Sequence, residues 1–498
     1  MKKKPQNTEL IASIDIGSNS VRLVVYKYLN YALLPVLNEK AICQLGKGLE
    51  NSGVLHPQGV CDALKALEKF AIILKMHSVK KVVTVATAAV RDAKDGAAFL
   101  SEVKKFIKID IDLISGASEA SFAALGVKHS FQNVEGVVAD MGGGSLEYSR
   151  VHGAEITNPI SLPLGYFRLM DISNHNPAAA HNVLRQKLAE RKSGLLNKEM
   201  LGGDLYLAGG GFRSIAKIHM AKRHYPLKIL HNYEASADDM LKLCERLIGR
   251  NIFQLAKLEG LAEDRVDTIP YAAASLSALI QAINPPRIFF SANGLREGAI
   301  LSSLLGVIPE SSESDKLKDS VALSLKPTVN EQYAEQVINL FAQPLNEMCG
   351  VKTRLFEAAA LFSEAFINGH PEYRAENAFL SVLRGQYVAA NHYERAFIAA
   401  CCYYRYRHKD SNNTLDEYKD LTASIDKRAA RCVGLVLSIA YGLSGGNEKV
   451  LGKLSVEYQV GKEFVIGVPK DLMPLVSNGV IKKAAKLAEQ LGVRVGII

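Results

Sequence analysis

The chain has 498 residues, 48% hydrophobic and 22% charged, the composition of a folded globular protein with roughly three to four domains. No apolar run approaches the ~18 residues of a membrane span, and the Lys2-Lys3-Lys4 start leads straight into a stretch carrying Asp15, so neither membrane insertion nor export is expected. A formal charge of +9 and a pI near 9.0 favour an acidic partner. With no Trp and no basic-aromatic tract, that partner reads as a soluble polyanion or a phosphorylated nucleotide rather than nucleic acid. The seven cysteines are an odd number without CxxC spacing, and they read as reduced thiols in a cytoplasmic protein.

The first lobe is expected from about Leu10 to Val127. Ser13–Tyr26 (SIDIGSNSVRLVVY) reads as an apolar strand ending in Asp15, a turn of Gly17, Ser18, Asn19 and Ser20, and a β-rich continuation carrying Arg22. Pro57–Lys75 has apolar residues at helical spacing, and Val82–Ala86 is a short buried strand delivering Thr87 and Arg91. Arg91 can form a bidentate pair with a phosphate, or a surface ion pair with Asp92 or Asp95. Ile111–Ile114 reads as another strand, leading through Ser115-Gly116 into a helix that carries Glu119 in its first turn. By position alone, a glutamate there complements the helix dipole.

The second lobe, about Glu135 to Leu305, opens on Gly136–Arg150 (GVVADMGGGSLEYSR). Here an apolar strand ends in Asp140, and Gly142, Gly143 and Gly144 make a turn whose amides can approach an anion closely. Ser145 and Glu147 follow. Asp140 and Glu147 flank the turn, which suits a hard cation such as Mg²⁺ held between protein and phosphate oxygens; an ordinary glycine-rich hairpin is the alternative. Aligning Asp15 with Asp140 puts Gly17 on Gly142 and Ser20 on Ser145, which implies a duplicated domain whose copies face one another across a cleft. Leu162–Phe167 is a β-turn segment. Leu205–Ile218 (LYLAGGGFRSIAKI) reads as strand, glycine turn and helix, placing Gly209, Gly210 and Gly211 at a helix N-terminus with Arg213 just beyond. The histidines between 175 and 231 show no HxxxH or HExxH spacing and read as structural or surface residues. Asn284-Pro285-Pro286 is a turn before a strand at Arg287–Ser291.

Leu305–Lys326 is polar and reads as a linker, Asn330 to about Gly445 as helical, and the end of the chain as a small β-β-α-β domain for interaction or dimerisation.

Five stretches together resemble the exopolyphosphatase and guanosine pentaphosphate phosphatase family, within the actin, Hsp70 and sugar-kinase fold superfamily. They are Asp15–Arg22 (DIGSNSVR), Ala86–Arg91 (ATAAVR), Ile114–Ala120 (ISGASEA), Asp140–Glu147 (DMGGGSLE) and Gly294–Gly298 (GLREG). The resemblance implies an α/β fold: a duplicated actin-like (ribonuclease H-like) two-lobe core at 1–130 and 131–310, a degenerate HD-type helical domain at 311–446, and a small α+β domain at 447–498. It makes Glu119 the catalytic carboxylate, with Ser118 where many relatives carry a second glutamate. Phe212-Arg213-Ser214 stand where relatives often carry small residues and threonine, so Arg213 either adds a cation for phosphate or narrows a nucleotide pocket. Ser363-Glu364 stand at the expected His-Asp pair and Ala375-Glu376-Asn377 where relatives keep histidine, so the helical domain reads as non-metallic. Its Arg374, Arg384, Arg405, Arg407 and His408 either line a path for a polyanion or form a solvated face.

The expected activity is Mg²⁺-dependent release of terminal orthophosphate from inorganic polyphosphate. In this reading Gly17–Ser20, Gly142–Ser145, Gly210 and Gly211 cradle phosphates, Arg22, Arg91 and Arg213 offset their charge, Asp140, Glu147 and Asp15 hold or orient the metal, and Glu119 activates water. Rival readings are a guanosine pentaphosphate 5′-phosphatase, a phosphotransferase or ATPase on the same fold, and a non-enzymatic sensor of polyphosphate or of guanosine tetra- or pentaphosphate. A homodimer is expected.

Overall fold

The apolar run Leu10–Ile16 forms a strand (β1) buried along most of its length, as such runs are when helices cover both faces of a sheet. The structure, a computed structural model, describes residues 9–190, 202–305, 315–325, 330–407 and 414–498. The chain forms two compact units, Met1–Ser311 and Ser312–Ile498.

In the first unit β1 pairs antiparallel with β2 (Ser20–Leu29), and β2 pairs with β3 (Ala32–Ile42). On its other side β1 lies parallel to β4 (Lys81–Ala86), which pairs with β5 (Asp112–Leu113). The strand expected at 111–114 is thus only two residues long. The order is β3-β2-β1-β4-β5. A second sheet contains β6 (Glu135–Met141), β7 (Leu146–His152), β8 (Glu155–Leu162), β9 (Asp204–Ala208), β10 (Tyr233–Ala235) and β11 (Ile288–Phe290). Its order, read from one edge, is β8-β7-β6-β9-β11, with β10 added at the far side. That repeats the topology of the first sheet, and the two opening turns repeat as well. Gly17 N–H donates to Ser20 O at 3.1 Å, and Gly142 N–H to Ser145 O at 3.0 Å. Asp15 lies opposite Arg22 in register, and Asp140 opposite Glu147. The duplication read from the sequence is therefore a duplication of folds.

The first lobe carries α1 (Leu49–Ser52), α2 (Pro57–Met76), α3 (Ala88–Asp92) and α4 (Gly96–Ile107). Helix α2 starts with Pro57 at its first position, and His56 caps Gly59 N–H, the usual economy at a helix start. Helix α5 (Gly116–Ser130) leaves the first sheet but lays Ala124, Val127 and Phe131 on Val138, Val151, Tyr206 and Phe289 of the second. The second lobe adds α6 (Tyr166–Ile172), α7 (Pro177–Ala189), α8 (Gly210–Lys222), α9 (Ala237–Ile248), α10 (Ile252–Leu255) and α11 (Ile269–Ile283). Helix α12 (Leu295–Leu304) then returns, packing Ile300 and Leu304 on Ile11, Val24 and Tyr26 of the first sheet. Each sheet is thus covered by a helix that the other sheet's strands lead into. The two helices meet at glycines. A Cβ on Gly298 would fall 1.7 Å from Phe122 O, and one on Gly126 would fall 2.1 Å from Gly294 O. No other residue fits a backbone crossing that close.

The second unit is helical: α13 (Lys316–Leu325), α14 (Glu331–Cys349), α15 (Thr353–Ser363), α16 (Arg374–Arg384), α17 (His392–Tyr406), α18 (Thr414–Glu417), α19 (Lys419–Thr422), α20 (Lys427–Ser444) and α21 (Glu448–Leu451). Strands β12 (Ser455–Gln459) and β13 (Glu463–Gly467), helix α22 (Asn478–Leu491) and strand β14 (Arg494–Ile497) make the β-β-α-β piece. Its Phe464 stacks on Phe341 of α14.

Two expectations change here. Part of the stretch read as a linker, Lys316–Leu325, is a helix that buries Leu317, Val321 and Leu323; the stretch at 306–314 lies outside the described residues. The arginines expected on one path or face are each engaged locally. Arg405 is buried and donates to Glu364 Oε1 at 2.7 Å and Ser363 O at 2.8 Å. Arg374 donates to Gly369 O, Arg384 to Tyr418 OH, and Arg407 to Glu376 and Glu372 O. His408 lies outside the described residues. The Glu364 carboxylate is thus taken up by a buried guanidinium.

Candidate active site

Strands β1 and β6 run side by side with their partners and deliver Asp15 and Asp140 at matching ends. The turns that follow abut each other. A Cβ on Gly144 would lie 2.8 Å from Ser18 Oγ and from Ala88 Cβ, and one on Gly143 2.9 Å from Ser18 Cβ. The run of three glycines is what lets the first turn come this near. The amides of Ser18, Asn19, Gly143 and Gly144 donate to no backbone carbonyl in these turns, so two sets of N–H donors from opposite lobes are available to an anion. Helix α6 fastens the second turn from behind, with Tyr166 N–H on Gly142 O and Phe167 N–H on Gly143 O.

Glu119 is buried. It is 8% exposed, and Arg91 Nη1 donates to its Oε2 at 3.1 Å while also reaching Ile114 O. Of the two surface partners considered for Arg91, Asp92 is present, its Oδ1 lying 3.4 Å from Nε. Asp95 instead accepts from Leu55 N–H. Burial pushes the Glu119 carboxyl up to about 7; Arg91 opposes that shift, while Asp15 and Asp140 add to it. Glu147 is raised well above the usual carboxylate range, by burial first and then by Glu119. Ser161 Oγ donates to Glu147 Oε1 at 2.8 Å, and Ser145 bonds the same carboxylate.

Asp15 and Asp140 are likewise raised by burial, and each has its own arginine. Arg296 Nη1 is 3.4 Å from Asp15 Oδ2, and Arg213 is the main cation acting on Asp140. Arg213 donates to Ser291 O and Ala292 O. Burial and the neighbouring Arg296 bring its guanidinium down to about 10 despite Asp140. Arg22 donates from Nε to Asn38 Oδ1 at 2.7 Å. Gly210 packs under the guanidinium of Arg265, and Gly211 against Ala272. The structure therefore gathers Asp15, Asp140, Glu119, Glu147, Arg91 and the two turns, and sets Gly211 in the core.

Sequence reasoning missed Arg296, Arg265, Ser161 and Arg168. Arg296 sat within a quoted motif, GLREG, but its role depends on Asp15, 281 positions away. Arg265 lies in a short polar turn, Glu263–Arg265, with no periodicity to mark it.

Among the described residues no three His, Cys, Asp or Glu side chains converge to hold a metal ion. Glu119 and Glu147 are buried and Asp15 and Asp140 partly so, and together these carboxyls are nonetheless a hard-oxygen donor set. Mg²⁺ ordinarily takes one or two protein carboxylates and completes its shell with phosphate and water. The residues fit that pattern.

The sequence pattern of the Ppx/GppA phosphatase family matches residues 24–306, and that of the exopolyphosphatase C-terminal region matches residues 323–498. The chain belongs to the Ppx/GppA phosphatase family. Among its Ppx/GppA relatives, exopolyphosphatase 1 of Mycobacterium tuberculosis is 28% identical over 302 residues, spanning 58% of this chain and 87% of that one. A guanosine-5′-triphosphate,3′-diphosphate pyrophosphatase of Vibrio vulnificus is 25% identical over 358 residues, 69% of this chain and 68% of that one. The crystal structure of an exopolyphosphatase from Cytophaga hutchinsonii superposes with a TM-score of 0.55 at 25% identity, covering 60% of this chain and 98% of that one.

Proposed function

We propose that this Ppx/GppA protein hydrolyses the terminal phosphoanhydride of inorganic polyphosphate, with Glu119 as general base. The observation that carries the reading is the pairing of buried Glu119 with the partly exposed Arg91, beside two facing turns with free amides. The turns of Gly17–Ser20 and Gly142–Ser145 bind the terminal phosphoryl oxygens through N–H groups. Arg91 and Arg22 offset their charge, and Arg213 opposes the burial that raises the Asp140 carboxyl. Glu119 takes a proton from water as its oxygen bonds to phosphorus and the anhydride P–O bond breaks, leaving orthophosphate and a chain one unit shorter. Asp140 and Glu147, with Asp15 nearby, would hold Mg²⁺, which supplies charge neutralisation at the phosphoryl oxygens when bound.

A second reading has one specific support: the guanosine-phosphate pyrophosphatase relative matches a longer part of the chain than the exopolyphosphatase does. It uses the same residues on a guanosine pentaphosphate end. Purified protein with Mg²⁺, given polyphosphate and guanosine pentaphosphate separately, separates the two by orthophosphate release. Release from polyphosphate alone supports the first reading, release from the nucleotide alone the second, and phosphoryl transfer from ATP without either overturns both. Seven free thiols fit a cytoplasmic site of action, and the β-β-α-β piece is our candidate for self-association into a dimer.

A further inference from the structure

Arg168 is on α6, in the second lobe, and touches the proposed chemistry only through others. Its Nη2 lies 2.5 Å from Asp92 Oδ2 and its Nε 3.4 Å from Glu50 Oε2, both acids of the first lobe. Asp92 holds Arg91 Nε through its other oxygen at 3.4 Å, and Arg91 holds Glu119. Helix α5, which bears Glu119, is packed on the second sheet. The pair Arg91-Asp92 is therefore gripped at one end by Arg168 of the second lobe and at the other by Glu119, on a helix that packs against the second sheet. The Arg168 side chain is only 15% exposed. The residues just before it, Tyr166 and Phe167, are the ones that fasten the glycine turn, so the turn and Arg168 move as one piece. Lys40 and Asp264 make a second ion pair between the lobes, at 3.0 Å.

We infer that Arg168 and Asp92 are positioning residues that couple closure of the lobes to placement of the base. With the lobes together, Arg168 fixes the Asp92 carboxylate. Asp92 orients the flat guanidinium of Arg91, and Arg91 aims the Glu119 carboxylate at the attacking water. With the lobes apart, Arg168 leaves Asp92, Arg91 is free to turn, and Glu119 loses its aim. The coupling runs through a contiguous chain of charge-assisted bonds, each with a made and a broken state.

The inference rests on Glu119 being the base, and the test keeps the two apart. Arg168→Gln, Arg168→Lys, Asp92→Asn and the Arg168→Gln/Asp92→Asn double variant are assayed for phosphate release from polyphosphate, alongside Glu119→Gln, with melting followed for each. Misplacing a catalytic group by about 1 Å costs up to about a hundredfold, so Arg168→Gln and Asp92→Asn should each lower kcat about ten- to hundredfold. KM should stay within about threefold, because the turn amides that bind phosphate are untouched. Arg168→Lys should recover most of the loss, and the double variant should be no slower than the worse single one. A rise in KM with kcat unchanged, losses that multiply in the double variant, or Lys doing no better than Gln would each overturn the relay. So would wild-type kcat in Arg168→Gln while Glu119→Gln is inactive. Wild-type turnover in Glu119→Gln overturns the base assignment itself. Should Arg168→Gln melt below the assay temperature, the charge-preserving Lys variant and Asp92→Asn decide the question.

Discussion

Arg91 Nη1 sits 3.1 Å from Glu119 Oε2, in a contact largely closed to solvent. One of the two is a phosphate-sized cation and the other a carboxyl raised to about 7 by burial, and each limits what the other can do. Arg91 keeps Glu119 ionisable at neutral pH, and Glu119 spends part of the charge that Arg91 offers a phosphate.

Removing Arg91 should therefore act on turnover as well as on binding. A charge-assisted contact is worth about 1.5–3 kcal/mol, so Arg91→Ala should raise KM and lower kcat, with kcat/KM down about ten- to hundredfold. Arg91 lowers the proton affinity of Glu119, so the rising limb of the pH–rate curve should also move to higher pH. Steady-state phosphate release between pH 5.5 and 9 checks both, and an unmoved limb with unchanged KM contradicts the assignment.

Glu119→Gln removes the base and keeps the shape, so kcat should fall about 10²- to 10⁴-fold while polyphosphate still binds. In the unsubstituted protein the rate should rise with pH through about 7, where the Glu119 carboxyl ionises. Read from sequence as a helix-dipole residue, Glu119 would stabilise its helix when charged. Buried and raised, it does the reverse: its proton is held more tightly folded than unfolded. Stability from it is complete below the unfolded carboxyl range, ~4, and is lost as pH climbs through its folded value. At pH 8 the Gln variant should melt no lower than the parent protein, and a lower melting temperature there contradicts this.

The same sign holds for Asp15, Asp140 and Glu147, all raised by burial. The cluster weighs against folding as pH rises, and a divalent cation should relieve it. A ligand at a hundred times its Kd adds about 2.7 kcal/mol, which for a unit of this size is a gain of about 5 °C in Tm. Mg²⁺ should give a larger gain at pH 8 than at pH 5, because burial raises the proton affinity of each carboxyl and protons compete with the metal more strongly as pH falls. Glu147→Ala should lose most of it, and chelator should abolish activity. Equal Mg²⁺ gains at both pH values would remove Glu147 and its neighbours from the metal site.

In the second unit Arg405 and Glu364 are an ion pair with side chains 3% and 7% exposed. Glu364→Ala leaves a buried guanidinium with its main partner gone and should cost about 3–5 kcal/mol. Arg405 lies over the rings of Tyr406 and Tyr441, so Met at 405 in the Glu364→Ala background keeps packing there and should recover much of the loss. Urea unfolding of the full chain reports both.

Much of the core was legible in the sequence because its signals are local. The strand-acid-glycine-serine turn is a short-range instruction, and its recurrence at Asp15 and Asp140 announced the duplicated sheets that the strand order displays. The helix over Pro57–Met76 and the alternation at Val456–Val468 follow from periodicity. What was not legible lies between distant residues. Arg296 meets Asp15 and Arg168 meets Asp92 only after both sheets exist. Arg405 looked like a surface arginine because its buried acid, Glu364, is 41 positions away. The burial of Glu119 was not legible for a similar reason: helix α5 is covered by the second sheet on one side and by α12 on the other.

The crossing of α5 and α12 has a consequence for how the protein can be divided. A chain cut between residues 130 and 131 gives an N-terminal piece that keeps the helix meant for the other sheet, and a C-terminal piece that keeps the helix meant for the first. Each fragment would carry a sheet with one bare apolar face and one orphaned apolar helix, and Gly126 and Gly298 would have no backbone to nestle against. Such halves are complementary by construction. Mixed in a test tube they should reassemble as a pair, and alone neither lobe of the first unit should hold its fold.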